Sequence, residues 1–212
     1  MSRPWTSTTV ADRCRVVVDN AEFLADECGD AGLDDDGDHL RAGAARLALL
    51  LQESARRDEA VRAAVDVRKH RMAQLRRVAH RLNLEIELRL PFAESIELST
   101  AAHLALESST RFRLERLGPE QRSVLGVVVD EVSVALAARE DAERDCFSAY
   151  AAAHAARGRV VAVAHGLRAD CERVKAHLLA VLPPDDAAYA RVSRRVLRTR
   201  RPDAWMARHL TT

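Results

Sequence analysis

Between Val128 and Val181 apolar residues return in alternating steps of four and three, and no other feature of the chain constrains its fold as tightly. The positions are Val128, Val132, Ala135, Arg139, Ala142, Cys146, Ala149, Ala153, Ala156, Val160, Val163, Leu167, Asp170, Val174, Leu178 and Val181, and only Arg139 and Asp170 among them are polar. In a chain that is 48% hydrophobic, unpatterned placement would make about half of such a set apolar. A sustained heptad seam is what a helix needs to lie along a partner helix. Gly158 and Gly166 fall within it. Each costs about 1 kcal/mol against alanine, and neither shifts the frame.

A second seam precedes it: Leu40, Ala44, Leu47, Leu51, Ser54, Asp58, Val61, Val65, Arg68, Met72, Leu75, Ala79, Leu82 and Ile86. Pro91 cannot continue a helix, so this one is expected to end near Leu88. Its polar face carries Arg56, Arg57, Arg62, Arg68, Arg71, Arg76, Arg77 and Arg81. Such a run reads as a solvated, partly salt-bridged surface. The charged seam residues Asp58, Arg68, Arg139 and Asp170 require partners across the bundle or a section open to water.

Shorter helices flank the two long ones. Thr9 with Asp12 resembles a capping box, and Val10, Cys14, Val17, Ala21, Leu24 and Cys28 share one face, which predicts a helix over Thr8 to Cys28 closed by Gly29 and Gly32. A third helix is expected over Glu94 to Leu117, broken from the next by Gly118 and Pro119. After Pro183 and Pro184, Asp185 and Asp186 open a short basic helix, AAYARVSRRVLRTRR, followed by a tail. The aspartates between Gly29 and Asp38 do not make a calcium loop. With Gly37 as the loop glycine, the first ligand and the bidentate acid would both be glycines, Gly32 and Gly43. They read instead as an acidic turn ending in the cap of the second helix.

VAHRLNLEIE, starting at Val78, recurs as VAHGLRADCE, starting at Val163. Much of the heptad frame is kept at that offset. The expected fold is therefore all-α: an elongated antiparallel helical bundle with two long heptad-patterned helices, built from two diverged helical-hairpin repeats. Residues 1–92 form the first repeat, 93–184 the second, and 185–212 the C-terminal basic helix and tail.

Helices of about 21 and 24 residues cannot cover two of about 50 and 60 along their whole length. Either the long helices break, near Ser54 to Asp58 and near Arg157 to Gly158, or a second copy covers the excess. Self-association as a homodimer is the partner this implies.

Chemistry is hard to find. No Glu-x-x-His pair, HExxH, glycine-rich phosphate loop, nucleophile elbow or paired-cysteine site occurs, and the repeated His80/Glu85 and His165/Asp170 are five apart, off a common helical face. No catalytic residue, cofactor or metal is assigned, and a metal-dependent bundle enzyme is the remotest reading. Cys14, Cys28, Cys146 and Cys171 read as buried reduced thiols. With no leader-like or membrane-spanning run, a cytoplasmic location follows. The scarcity of Lys, Ile and Asn beside abundant Ala, Val, Arg and Asp points to a GC-rich bacterial genome. Net charge is +1, so no global field recruits nucleic acid or anionic surfaces. A local patch could: Arg191, Arg194, Arg195, Arg198, Arg200 and Arg201 are the candidate anion contacts. The leading expectation is a scaffold or interaction protein acting through oligomerisation, with nucleic-acid or anionic-surface binding through those arginines as the alternative.

Overall fold

A computed structural model describes residues 7–91, 105–195 and 197 of the chain. Among them there are five helices and no strand. Helix α1 runs Ser7–Asp30, α2 Asp34–Arg89, α3 Leu106–Arg116, α4 Pro119–Val181 and α5 Ala187–Arg194. Among the described residues no helix is long and apolar enough to cross a membrane.

Helix α1 starts before the Thr9 capping box and runs through Gly29. Gly32, at φ 71°, is what ends it. Leu33 N–H donates to the Cys28 carbonyl at 2.9 Å and Gly32 N–H to Gly29 at 3.3 Å. Those two bonds form a Schellman cap, which needs a left-handed residue at Gly32 and not at Gly29. The aspartates that follow are helix, not turn: Asp34, Asp35 and Asp36 occupy the first turn of α2, where the positive end of the dipole favours them. Gly37 follows because a Cβ there would lie 3.1 Å from the Ala25 carbonyl oxygen and 3.2 Å from Cys28 Cβ on α1.

Helix α2 ends at Arg89, before Pro91, as its sequence dictates. Helix α4 begins with proline at its first position, and Gly118 N–H donates back to Gln121 Oε1 at 2.9 Å, half of a reciprocal cap. Both long helices are continuous where breaks are expected, near Ser54 to Asp58 and near Arg157 to Gly158. The single departure from helical geometry in α4 is Gly126, at φ 33° and ψ −111°, just ahead of the seam. Gly158 and Gly166 keep helical geometry with nothing near a notional Cβ, so a mild propensity loss is all they impose. The third helix is shorter than expected. Ala105 is extended (ψ 148°) and α3 starts after it, while residues 94–104 lie outside the described residues.

The chain divides into two units, Met1–Glu59 with Ala151–Thr212 and Ala60–Tyr150. That division passes through both long helices and is not coextensive with residues 1–92 and 93–184. In the first unit Cys14, Leu24, Leu40, Leu47, Val160, Leu167, Val174, Leu178 and Val192 pack in one core. Gly43 lies close against it, since a Cβ there would lie 2.7 Å from Leu167 Cδ1. In the second unit Leu75, Leu82, Ile86, Leu125, Val128, Val132 and Leu136 do the same. No α2 seam residue is exposed, and on α4 only Val181, the final helical residue, is. The two seams fill one another, so the excess apolar length expected to need a second chain does not exist at the seams.

Partner numbers fall along α4 as they rise along α2. Asp36 meets His177 at 2.8 Å, His39 meets Asp170 at 3.2 Å and Glu53 meets Arg159 at 2.8 Å, with Asp58 paired to Arg157. In the second unit Arg68 meets Glu143 at 3.4 Å and Arg81 meets Glu131 at 2.8 Å. The signs follow the sequence. Residues 34–59 hold seven acids against four Lys or Arg, 60–89 three against eight, 119–150 seven against three, and 151–181 two against five. Each long helix is thus acidic in its first half and basic in its second.

Candidate interaction surfaces

Helix α5 sets three of the C-terminal arginines, Arg191, Arg194 and Arg195. Asp186 caps α5 by accepting from Ala188 N–H at 2.8 Å, and the helix then buries Ala188 and Val192. Four residues on from Arg191 lies Arg195, so both project from one edge toward α1. Arg191 donates Nε to Glu27 Oε1 at 2.7 Å and Nη2 to Oε2 at 2.9 Å. Those bonds and the charge of Glu27 hold its pKa above the usual arginine value. Arg195 donates Nε to Asn20 Oδ1 at 2.7 Å and Nη2 to the Asp19 carbonyl at 3.3 Å, and its guanidinium lies 4.8 Å from the Phe23 ring centre. Lys175 closes the arrangement by donating to the Ser193 and Arg195 carbonyls at 3.2 and 2.6 Å, which satisfies the end of α5 with a cation.

Glu27 and Asn20 are almost fully buried, at 6% and 4% exposed. Buried polar groups are retained where they have partners, and here the partners come from the far end of the chain. Arg191 and Arg195 thus form a clasp between α5 and α1. Of the six candidate anion contacts, Arg194 is exposed on α5, and Arg198, Arg200 and Arg201 lie outside the described residues. Phosphate binding through the whole set would require breaking the clasp and leaving Glu27 and Asn20 unpaired.

Charged residues on the seams are all paired. Beyond the partners given above, Arg139, whose side chain is 11% exposed, sits 3.1 Å from Glu107 of α3 and also meets Glu143. Asp170 holds Arg173 at 3.3 Å besides His39. The repeated histidine and acid do not meet: Glu85 pairs with Arg89 and Asp170 with His39. No group of three potential metal ligands comes together among the described residues.

All four cysteines are free and buried. Desolvation raises the Cys14 and Cys28 thiols to about 11 and Cys171 to about 12, and nearby Asp36 adds to the shift at Cys28 while Asp170 and Glu172 add to it at Cys171. Thiols so placed are poor nucleophiles at neutral pH, because the thiolate is the reactive form.

What remains is apolar surface off the seams. Leu88 is 81% exposed, Val127 68%, Val134 67%, Phe147 66% and Leu49 66%. Sequence reading missed the residues that receive the arginine clasp. Asn20 and Glu27 are seven apart beside the apolar face of α1, a visible spacing, but nothing local says that residues more than 160 positions away complete it. No protein-family model matches the chain, and no curated protein and no solved structure is significantly similar to it.

Proposed function

We propose that this chain is a non-enzymatic scaffold of the bacterial cytoplasm, an antiparallel helical bundle that acts by associating with itself. One observation carries the reading. The seams of α2 and α4 fill each other, yet large apolar side chains on the same two helices stand in solvent at up to 81% exposure. Isolated exposed apolar residues are ordinary on any protein surface. Several of them, on long helices whose seams are already filled, support a second use. The falling partner numbers along α4 support the antiparallel arrangement, and four buried reduced cysteines fit a reducing compartment. The recurrence of VAHRLNLEIE as VAHGLRADCE supports descent from a duplicated hairpin.

Sedimentation velocity over a concentration series tests it. The expected result is a mass rising from one chain to two between about 1 and 100 μM, the range for a small interface. A folded protein that keeps the mass of one chain throughout overturns the reading.

A further inference from the structure

On the outer side of α2 in the second unit, positive charge is left without local balance. Residues 60–89 hold eight Lys or Arg against three acids. Arg68, Arg71 and Arg81 have partners in Glu143 at 3.4 Å, Gln74 at 3.0 Å and Glu131 at 2.8 Å, and Arg89 pairs with Glu85. Lys69 holds Asp66 at 3.4 Å, with side chains 69% and 76% exposed, a pair that solvent screens almost fully. Arg62, Arg76 and Arg77 are exposed and make no ion pair or hydrogen bond among the described residues. Asp66 is the single acid between residues 60 and 84. Glu87 lies about 16 Å along the axis from Arg76, beyond the screening length of about 10 Å at 0.1 M salt.

Helical geometry brings these cations into line. Seven residues advance a helix by about 10.5 Å and return it to within about 20° of the starting direction, so Arg62, Lys69 and Arg76 form one stripe. His80, five full turns after Arg62, continues it to about 27 Å, and Arg77 flanks it. Val61, Leu75, Ala79 and Leu82 on the other side of the helix are buried, which turns the cations outward.

We propose that this stripe is a docking surface for the phosphate backbone of duplex DNA, bound without regard to sequence. The inference is independent of self-association. Three features select the occupant. Unpaired guanidinium forks match phosphate oxygens, and about 27 Å of helix runs beside about eight base pairs at 3.4 Å each, a ligand charged at every repeat. Residues 60–89 contain no Phe, Trp or Tyr, so the stripe offers no platform on which the bases of a single strand could stack. Among residues 60–83 the exposed large apolar side chain is Val67, at 51%, about 140° round the helix from Arg62. The stripe therefore lacks the apolar anchors that hold a protein partner or a membrane surface.

Fluorescence anisotropy of a labelled duplex of about 20 base pairs, titrated with the native chain, tests this. Three phosphate contacts should make affinity fall about fortyfold between about 50 and 200 mM NaCl, a log–log slope near about −2.7. Arg62→Ala, Arg76→Ala and Arg77→Ala change exposed positions and should keep the native melting temperature. Each should reduce that fall to about twelvefold, equally for two duplexes of unrelated sequence. Arg62→Glu, Arg76→Glu and Arg77→Glu together should abolish binding, while Arg194→Glu, Arg198→Glu and Arg200→Glu together should leave it unchanged. No binding by the native chain at about 50 mM salt overturns the proposal. Binding that survives the triple reversal on α2, or is lost with the C-terminal one, overturns the stripe as its location. Tighter binding to a single strand of the same length, or to phosphatidylserine vesicles in place of the duplex, overturns the occupant.

Discussion

Glycine serves three different purposes in this chain, and substitution by alanine separates them. At Gly158 and Gly166 nothing lies near a notional Cβ, so Gly158→Ala and Gly166→Ala should each stabilise by about 0.5–1 kcal/mol through reduced freedom of the unfolded chain. At Gly43 the same gain is opposed by overlap with Leu167, where overpacking costs about 1–3 kcal/mol, and the net expectation is a loss of about 1 kcal/mol. At Gly126 the space is open but the positive φ strains any L residue, by about 1–3 kcal/mol. Urea unfolding of the four variants should give two midpoints above the native value and two below. The cysteines make a second residue-scale prediction. The native pKa values of Cys14, Cys28 and Cys171, about 11 to 12, lie above the ordinary 9.0, so the unfolded chain loses these thiol protons first. Stability contributed by these neutral thiols is intact below pH 9 and declines as pH rises from about 9 toward 11 and 12. Urea midpoints measured from pH 7 to 10.5 should be flat and then fall, and Cys14→Ala with Cys171→Ala should reduce the fall. At pH 7 the native protein should leave all four thiols unmodified by iodoacetamide.

At the level of elements, α5 is held by its cap and by the clasp to α1. Asp186→Ala removes the bond to Ala188 N–H and should cost about 0.5–2 kcal/mol. Asn20→Ala and Arg195→Ala should not be additive: a double-mutant cycle is expected to show coupling of about 1–2 kcal/mol. Additivity would show that the 2.7 Å contact contributes nothing. Elements were legible in the sequence to different degrees. The seams of α2 and α4 declared themselves because a heptad is a property of residues close in sequence. The end of α1 was misplaced because Gly29 and Gly32 both suit a helix terminus, and only the hydrogen bonds of Leu33 and Gly32 choose between them. The start of α2 was placed late for a related reason: four aspartates beside a glycine suit a turn as well as a helix N-terminus, and packing of Gly37 against α1 decides for the helix.

For the whole molecule, the ladder of ion pairs along α2 and α4 is mostly more than a third exposed on at least one side, and such pairs contribute about 0–1 kcal/mol each. The sign change midway along each helix supplies the opposite charges that these pairs join. That signal stands in the sequence and becomes visible only when the halves of each helix are counted separately. The stability itself comes from two separate apolar cores, so each should respond locally to damage. Leu82→Ala and Leu24→Ala, both at fully buried positions, should each cost about 2–5 kcal/mol. Hydrogen exchange should quicken within residues 60–150 for the first, and within residues 7–59 and 151–195 for the second. Uniform quickening across the chain in both variants would refute two separable cores.

The sequence by itself determined that the chain is helical and where its two long helices lie. It also determined which stripe of each is buried, because those properties repeat every three or four residues and need no knowledge of distant neighbours. Only the tertiary structure decided what each stripe is buried against, and it turned the expected uncovered seam into a filled one. It also moved Arg191 and Arg195 from an open basic patch to a clasp on Glu27 and Asn20. Contacts between residues more than 100 positions apart depend on how the chain returns upon itself, and local spacing carries no record of that path.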